Sequence, residues 1–175
     1  MALREIVKYP DPILLAPTEE VGRIDADVRR LVRDMVETMH AAPGVGLAAN
    51  QVGVPLRVAV IDLSVGKEPS ELLVLINPQL VSAEGAHAEE EGCLSIPGIT
   101  EVVERPLVAE VEALNLDGKT IRVRGEALMA RALLHEIDHL NGVLFIEHLS
   151  PLKRRLARRK IQKLIQTGEW AAVGS

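Results

Sequence analysis

A length of 175 residues with 47% hydrophobic content is the size of one domain with enough apolar material for a core. The single cysteine, Cys93, excludes an internal disulfide, and with only Tyr9, Phe145 and Trp170 as aromatics there is almost no stacking platform for single-stranded nucleic acid. The net charge of −5 conceals an asymmetry, because residues 151–163 carry seven Lys/Arg and no acid, which leaves −12 for the remainder.

Arg4, Glu5, Lys8, Asp11, Glu19, Glu20, Arg23 and Asp25 interrupt the first thirty residues, so no apolar leader is expected. No apolar run approaches the ~18 residues of a membrane span. The expectation is a cytoplasmic protein of one domain over 1–175. Val28, Leu31, Val32, Met35, Val36 and Met39 follow i, i+3, i+4, i+7 spacing and predict an amphipathic helix over 28–39, ended by Pro43 and Gly44. Residues 57–63 and 72–76 are short apolar runs that read as buried strands. Asp117-Gly118 between residues 108–116 and 120–124 predicts a hairpin, with Glu110 and Glu112 on the face of Arg122 and Arg124. Residues 126–140 lack Pro and Gly and are apolar nearly all round, the pattern of a helix in the middle of a domain. Ser150-Pro151 pairs an N-cap with a first-turn proline and opens a basic helix over about 151–166, with Leu152, Leu156, Ile161 and Leu164 as its apolar stripe.

The chemistry is concentrated on the second of these helices. His135-Glu136-Ile137-Asp138-His139 is H-E-x-x-H, and residues four apart stack on one face of a helix, where two imidazoles can grip one metal ion. Glu136 is turned by about 100° and is placed to meet a water and not to ligate. Chance placement on a surface helix is countered by the apolar flanks Leu133, Leu134, Ile137 and Leu140, which would bury the imidazoles.

A catalytic metal site of this kind wants a third protein ligand and one open position. The three-histidine extension H-E-x-x-H-x-x-G-x-x-H has its glycine at Gly142 but Phe145 where the last histidine belongs. No glutamate occurs between Glu147 and Glu169 to serve from the following helix, and nothing favours His148. Cys93, in Glu91-Gly92-Cys93-Leu94-Ser95-Ile96-Pro97, offers a thiolate suited to zinc or ferrous iron. A nucleophilic cysteine and a buried space-filling thiol are the alternatives. Gly44 to Ala49 also fits G-x-G-x-x-A, but a helix precedes these glycines and strand-like residues follow, the reverse of a dinucleotide fold, so no nucleotide cofactor is expected.

Gly44-Val45-Gly46-Leu47-Ala48-Ala49-Asn50-Gln51, then Glu91 to Pro97, then His135 to Leu140 resemble the three ordered motifs of the bacterial peptide deformylases. The likeness extends from Ile6–Pro12 to Leu149–Lys153. It implies an α+β fold, antiparallel sheets around a central helix carrying H-E-x-x-H, with a C-terminal helix. It implies a hydrolase that removes the N-formyl group from the formyl-methionine of new proteins and releases formate. One divalent metal would be held by Cys93, His135 and His139, Fe2+ in the cell, with Zn2+, Ni2+ or Co2+ also suited. Glu136 would move the proton, and the Gln51 side chain and Leu94 backbone N–H would face the developing oxyanion. Gly44, Val45, Gly46, Gly92, Leu128 and Ala132, with the Leu94 side chain, are candidates for the substrate groove and its pocket for a methionine side chain. The basic helix would rest on the ribosome. A general metallopeptidase and an inactive metal-binding relative are the rival readings.

Two positions depart from the family pattern. Arg131 lies on the ligand face one turn before His135, where an apolar residue is common, and it is expected to pair with an acid or border the pocket. Leu134 stands where glutamine is usual. Glu91 and Arg105 are expected to form an ion pair behind the site.

Overall fold

The computed structural model describes residues 2–170, so residues 1 and 171–175 of the expected domain lie outside the described part. Helix α1, Ala26–Ala41, starts where Asp25 accepts a hydrogen bond from the Val28 N–H at 3.0 Å. It buries Val28, Leu31, Val32, Met35 and Met39 of the stripe read from the sequence and leaves Val36 half-buried. The strands are β1 Gly46–Ala48, β2 Val58–Ile61, β3 Leu73–Glu84, β4 His87–Cys93, β5 Ile96–Arg105, β6 Val108–Leu114 and β7 Thr120–Glu126. Five form an antiparallel sheet in the order β1-β2-β3-β6-β7, and β4 and β5 pair separately as a hairpin. Helix α2, Leu128–Leu140, and helix α3, Pro151–Gln166, complete the architecture. The fold is therefore α+β, with antiparallel sheets and a C-terminal helix, as expected.

Strand β2 shows why residues 57–63 read as a continuous apolar run. Val58 and Val60 pack toward α1, while Ile61 faces a cluster with Leu133 and Ile137 of α2. With both faces covered there is no polar alternate position. The predicted 72–76 strand continues to Glu84, further than expected. Every residue of its second half is exposed, Leu80 and Val81 included, so the extension is held by pairing with β6 and not by a buried face. Asn77 sits at the bulge with φ 53°, and its side-chain amide exchanges two hydrogen bonds with the backbone of Val21.

The hairpin over β6 and β7 has the expected register, with Glu110 opposite Arg124 and Glu112 opposite Arg122. The ion pairs are made mostly by Arg122, 3.4 Å from Glu110 and 3.2 Å from Glu112. Helix α2 begins two residues later than the sequence pattern suggested, because Glu126 still belongs to β7. Ser150 caps α3 as predicted, accepting from the Lys153 N–H. The apolar stripe of α3 differs from the expectation: Ala157 and Ile161 are buried and Leu164 partly so, whereas Leu152 and Leu156 are exposed. A helix seated by short residues on one narrow line leaves the flanking leucines in solvent. Beyond α3 the chain folds back, and the buried Trp170 donates its indole N–H to the Tyr9 carbonyl at 2.8 Å. No helix among the described residues is long and apolar enough to cross a membrane.

Candidate metal centre

Helix α2 carries His135 and His139 one above the other, with Nε2 atoms 3.1 Å apart. Strand β4 ends at Cys93, whose Sγ lies 3.1 Å from His139 Nε2. The three donor atoms fall within 4.8 Å of one another. A thiol sulfur and two ring nitrogens aimed at one point, with no acid oxygen in the set, form the donor chemistry of zinc or ferrous iron. Burial drives the His139 ring well toward its neutral form, in which one ring nitrogen carries a free lone pair. Burial pushes His135 the same way, but hydrogen bonds with Cys93 and Glu91 outweigh it and favour a cation at this ring. A metal ion facing Nε2 competes for the lone pair which that proton would occupy.

Glu91 holds the other side of His135, with Oε2 2.7 Å from Nδ1. The expected Glu91–Arg105 pair is present and buried, with Arg105 Nη2 donating to Oε2 at 2.7 Å and Nε donating to Oε1 at 3.0 Å. Burial alone would raise the Glu91 carboxyl, but its bonds to His135 and Arg105 prevail and hold it far below the usual carboxylate range. Arg105 reaches on to Asp138 at 2.6 Å, and Asp138 also meets His148 Nε2 at 2.8 Å. His148 is thereby engaged away from the donor cluster.

Glu136 is 3% exposed, and burial raises its carboxyl to about 7. Its Oε1 has no hydrogen-bond partner among the described residues. Gly46 of β1 makes room for this side chain, because a Cβ there would lie 2.4 Å from Glu136 Oε2. Gln51, 2% exposed, accepts the Ala48 N–H at Oε1 and donates from Nε2 to Ser95 Oγ at 3.1 Å. Its second Nε2 hydrogen faces the Cys93 sulfur at a long 3.6 Å.

These groups border a cavity of about 480 Å³, lined also by Gly44, Val45, Gly46, Gly92, Leu94, Leu128 and Ala132. Every site residue named from the sequence except His139 lines this opening, and His139 lies fully buried behind it, with Nε2 3.1 Å from both Cys93 Sγ and His135 Nε2. Val45 and Leu128 stand at the exposed rim, while Ala132 is buried. Ser95 was missed by sequence reasoning. Its only signal was its place two residues after Cys93, and its role as the acceptor for Gln51 depends on folding. Arg131 does both things expected of it, bordering the cavity and donating to Glu91 Oε1 at 2.9 Å.

An H-E-x-x-H helix meeting a third donor beside a substrate-sized opening defines a metal-dependent hydrolase. Comparison with known proteins narrows the class. The sequence pattern of the polypeptide deformylase family matches residues 3–155. A peptide deformylase of Acidobacterium capsulatum is 52% identical over 170 residues, spanning 97% of this chain and all of that protein. The crystal structure of a peptide deformylase from Legionella pneumophila superposes with a TM-score of 0.88 at 45% identity, covering 95% of this chain and 97% of that one. The Synechococcus elongatus enzyme in complex with actinonin gives 0.85 at 41%, covering 90% and 86%. The chain belongs to the polypeptide deformylase family.

Proposed function

We propose that this protein hydrolyses the formyl group from the N-terminal formyl-methionine of newly made polypeptides, with Cys93, His135 and His139 holding one divalent metal ion. The observation that carries the reading is the meeting of one sulfur and two ring nitrogens within 4.8 Å beside the buried Glu136, in a chain with deformylase relatives along nearly its whole length. The donor set suits Fe2+ in the cell and accepts Zn2+, Ni2+ or Co2+. When bound, the ion supplies Lewis acidity that makes a water nucleophilic near neutral pH.

The protein's own groups do the rest. Glu136 accepts a proton from the attacking water and returns it to the departing α-amine as the formyl C–N bond breaks, so the products are formate and a free N-terminus. A carboxyl raised to about 7 by burial can serve in both directions near neutrality. Gln51 offers the Nε2 hydrogen that is only weakly held by the Cys93 sulfur, and the Leu94 N–H supplies a second donor to the developing oxyanion. The cavity walls at Val45, Leu128, Ala132 and Leu94 receive the methionine side chain, and the backbone at Gly44, Gly46 and Gly92 lets the peptide lie close.

The chain works as one catalytic domain in the cytoplasm. Helix α3 rests on the ribosome through cations that the fold leaves available: Arg155, Arg159, Lys160 and Lys163 are exposed and have no ion pair among the described residues. Binding of that kind weakens steeply with salt. The deciding experiment incubates anaerobically purified protein with a formyl-methionyl peptide and measures formate and bound metal in the same sample. Formate release by the parent, and loss of both metal and formate in C93A, are expected. C93A with metal and activity intact overturns the assignment.

A further inference from the structure

Arg131 is, with Arg105, one of two buried arginines of the site to which the proposed mechanism gives no part. It lies one turn before His135 on α2 and is 5% exposed. A guanidinium taken out of water requires a counter-charge and acceptors for its five donors. Nη1 donates to Glu91 Oε1 and to the Val103 carbonyl, both at 2.9 Å, and Nη2 donates to the His87 carbonyl at 2.8 Å. One side chain on α2 therefore ties together both strands of the β4–β5 hairpin.

The contact with Glu91 links Arg131 to the donor cluster. Glu91 Oε2 is the atom that meets His135 Nδ1, and Oε1 is shared by Arg105 Nε at 3.0 Å and Arg131 Nη1. The terminal torsion of a glutamate is soft and broad. A carboxylate held at Oε1 by two guanidiniums loses that freedom, and Oε2 stays on the imidazole. An imidazole whose Nδ1–H is fixed on a carboxylate has one tautomer, one ring orientation and a more basic Nε2.

We propose that Arg131 is a positioning residue for the metal centre, acting through Glu91 to set the aim of His135 Nε2. The inference rests on His135 being a ligand and extends that reading to a residue outside the donor set. Two other tasks are available to Arg131: filling space under the hairpin, and forming the cavity wall that it borders. Each predicts a different result. A space-filler affects melting temperature only, and a wall residue affects KM.

The test uses Co2+ as the probe, titrated into metal-stripped full-length protein and followed by its visible absorption and by competition with a chelator. R131M is expected to weaken Co2+ binding by about 10- to 100-fold, the usual cost of losing an outer partner of a ligand. Its absorption bands should shift, and kcat should fall with KM for a formyl-methionyl peptide unchanged. R131K keeps an ammonium within reach of Glu91 Oε1 and should recover most of the lost affinity. In an E91Q background R131M should add less than about twofold, because the intermediary is already gone. R131M with the parent's Co2+ affinity and spectrum overturns the proposal whatever its melting temperature, and so does a change confined to KM. Should R131M fail to fold, R131Q is judged by the same criteria. A parent protein that binds no Co2+ defeats the ligand assignment itself, a failure distinguishable from that of Arg131.

Discussion

Replacing Gly46 by alanine perturbs the proposed proton carrier without touching it covalently. Gly46 lies in β1 and has no positive φ, so the backbone accepts alanine. The added methyl would stand 2.4 Å from Glu136 Oε2 and 2.9 Å from its Cδ, against ordinary contact from 3.4 Å. The carboxylate must therefore retreat by about 1 Å, the difference between that contact distance and the first of these two. A misplacement of ~1 Å in a reacting group costs on the order of 10²-fold in rate, which is about 2.7 kcal/mol of barrier. G46A should accordingly show kcat for formate release down by about 10²-fold, measured at saturating formyl-methionyl peptide. Metal content should match the parent, because none of the three donor atoms lies among the closest contacts of the new methyl. An unchanged kcat would refute the placement of Glu136 as the base. Loss of metal in G46A would show that the methyl is accommodated by moving α2 and not the carboxylate.

Two further outcomes follow from the same geometry. E136A should retain the parent's metal while turnover falls by roughly 10²- to 10⁴-fold, checked by elemental analysis and formate release. Asp62, 1% exposed, accepts hydrogen bonds from the Ser64 hydroxyl and N–H and from the Gly66 N–H, and meets His40 Nε2 at 2.7 Å. D62N should cost about 1–3 kcal/mol in urea unfolding at pH 7. The Ser64 hydroxyl bond is the largest influence holding Asp62 down to about 2, below its ordinary 3.8. A lowered folded value gives stability that is complete above pH 3.8 and lost as pH falls toward 2, so the gap between parent and D62N should close across that window.

The elements most legible in the sequence are those whose apolar faces are periodic and buried. Helix α1 follows its stripe almost residue for residue, and the pairing of β6 with β7 was legible from Asp117-Gly118 together with alternating charge. Strands β4 and β5 had no comparable signal. His87-Ala88-Glu89-Glu90-Glu91 is acidic and mostly exposed, and what holds it is pairing plus buried ions that no local pattern announces. In the site, the i, i+4 histidines, their glutamate and the Glu91–Arg105 pair were readable. The partners of Arg131 were not, because His87, Glu91 and Val103 reach it only after the hairpin has docked on α2.

That docking explains why charges, and not more leucines, lie behind the histidines. Strand β4 presents Glu91 to His135 and, past an irregularity in its pairing between Gly92 and Cys93, the Cys93 sulfur to His139, both on α2. One strand thereby delivers both the proposed third ligand and the carboxylate that orients the first. Apolar packing could hold the hairpin against the helix, but it would tolerate a slide of an ångström at little cost. A donor cluster 3.1 Å between neighbours does not tolerate it. Arg105 and Arg131 converge on Glu91, and Arg105 continues to Asp138 on α2, so two guanidiniums and two carboxylates balance in charge across the strand–helix boundary. Buried ion pairs contribute little net stability but penalise every misaligned arrangement, since any shift leaves a charge unpaired. The network is therefore suited to fixing the relative position of β4 and α2, the single parameter on which the meeting of Cys93 with His135 and His139 depends.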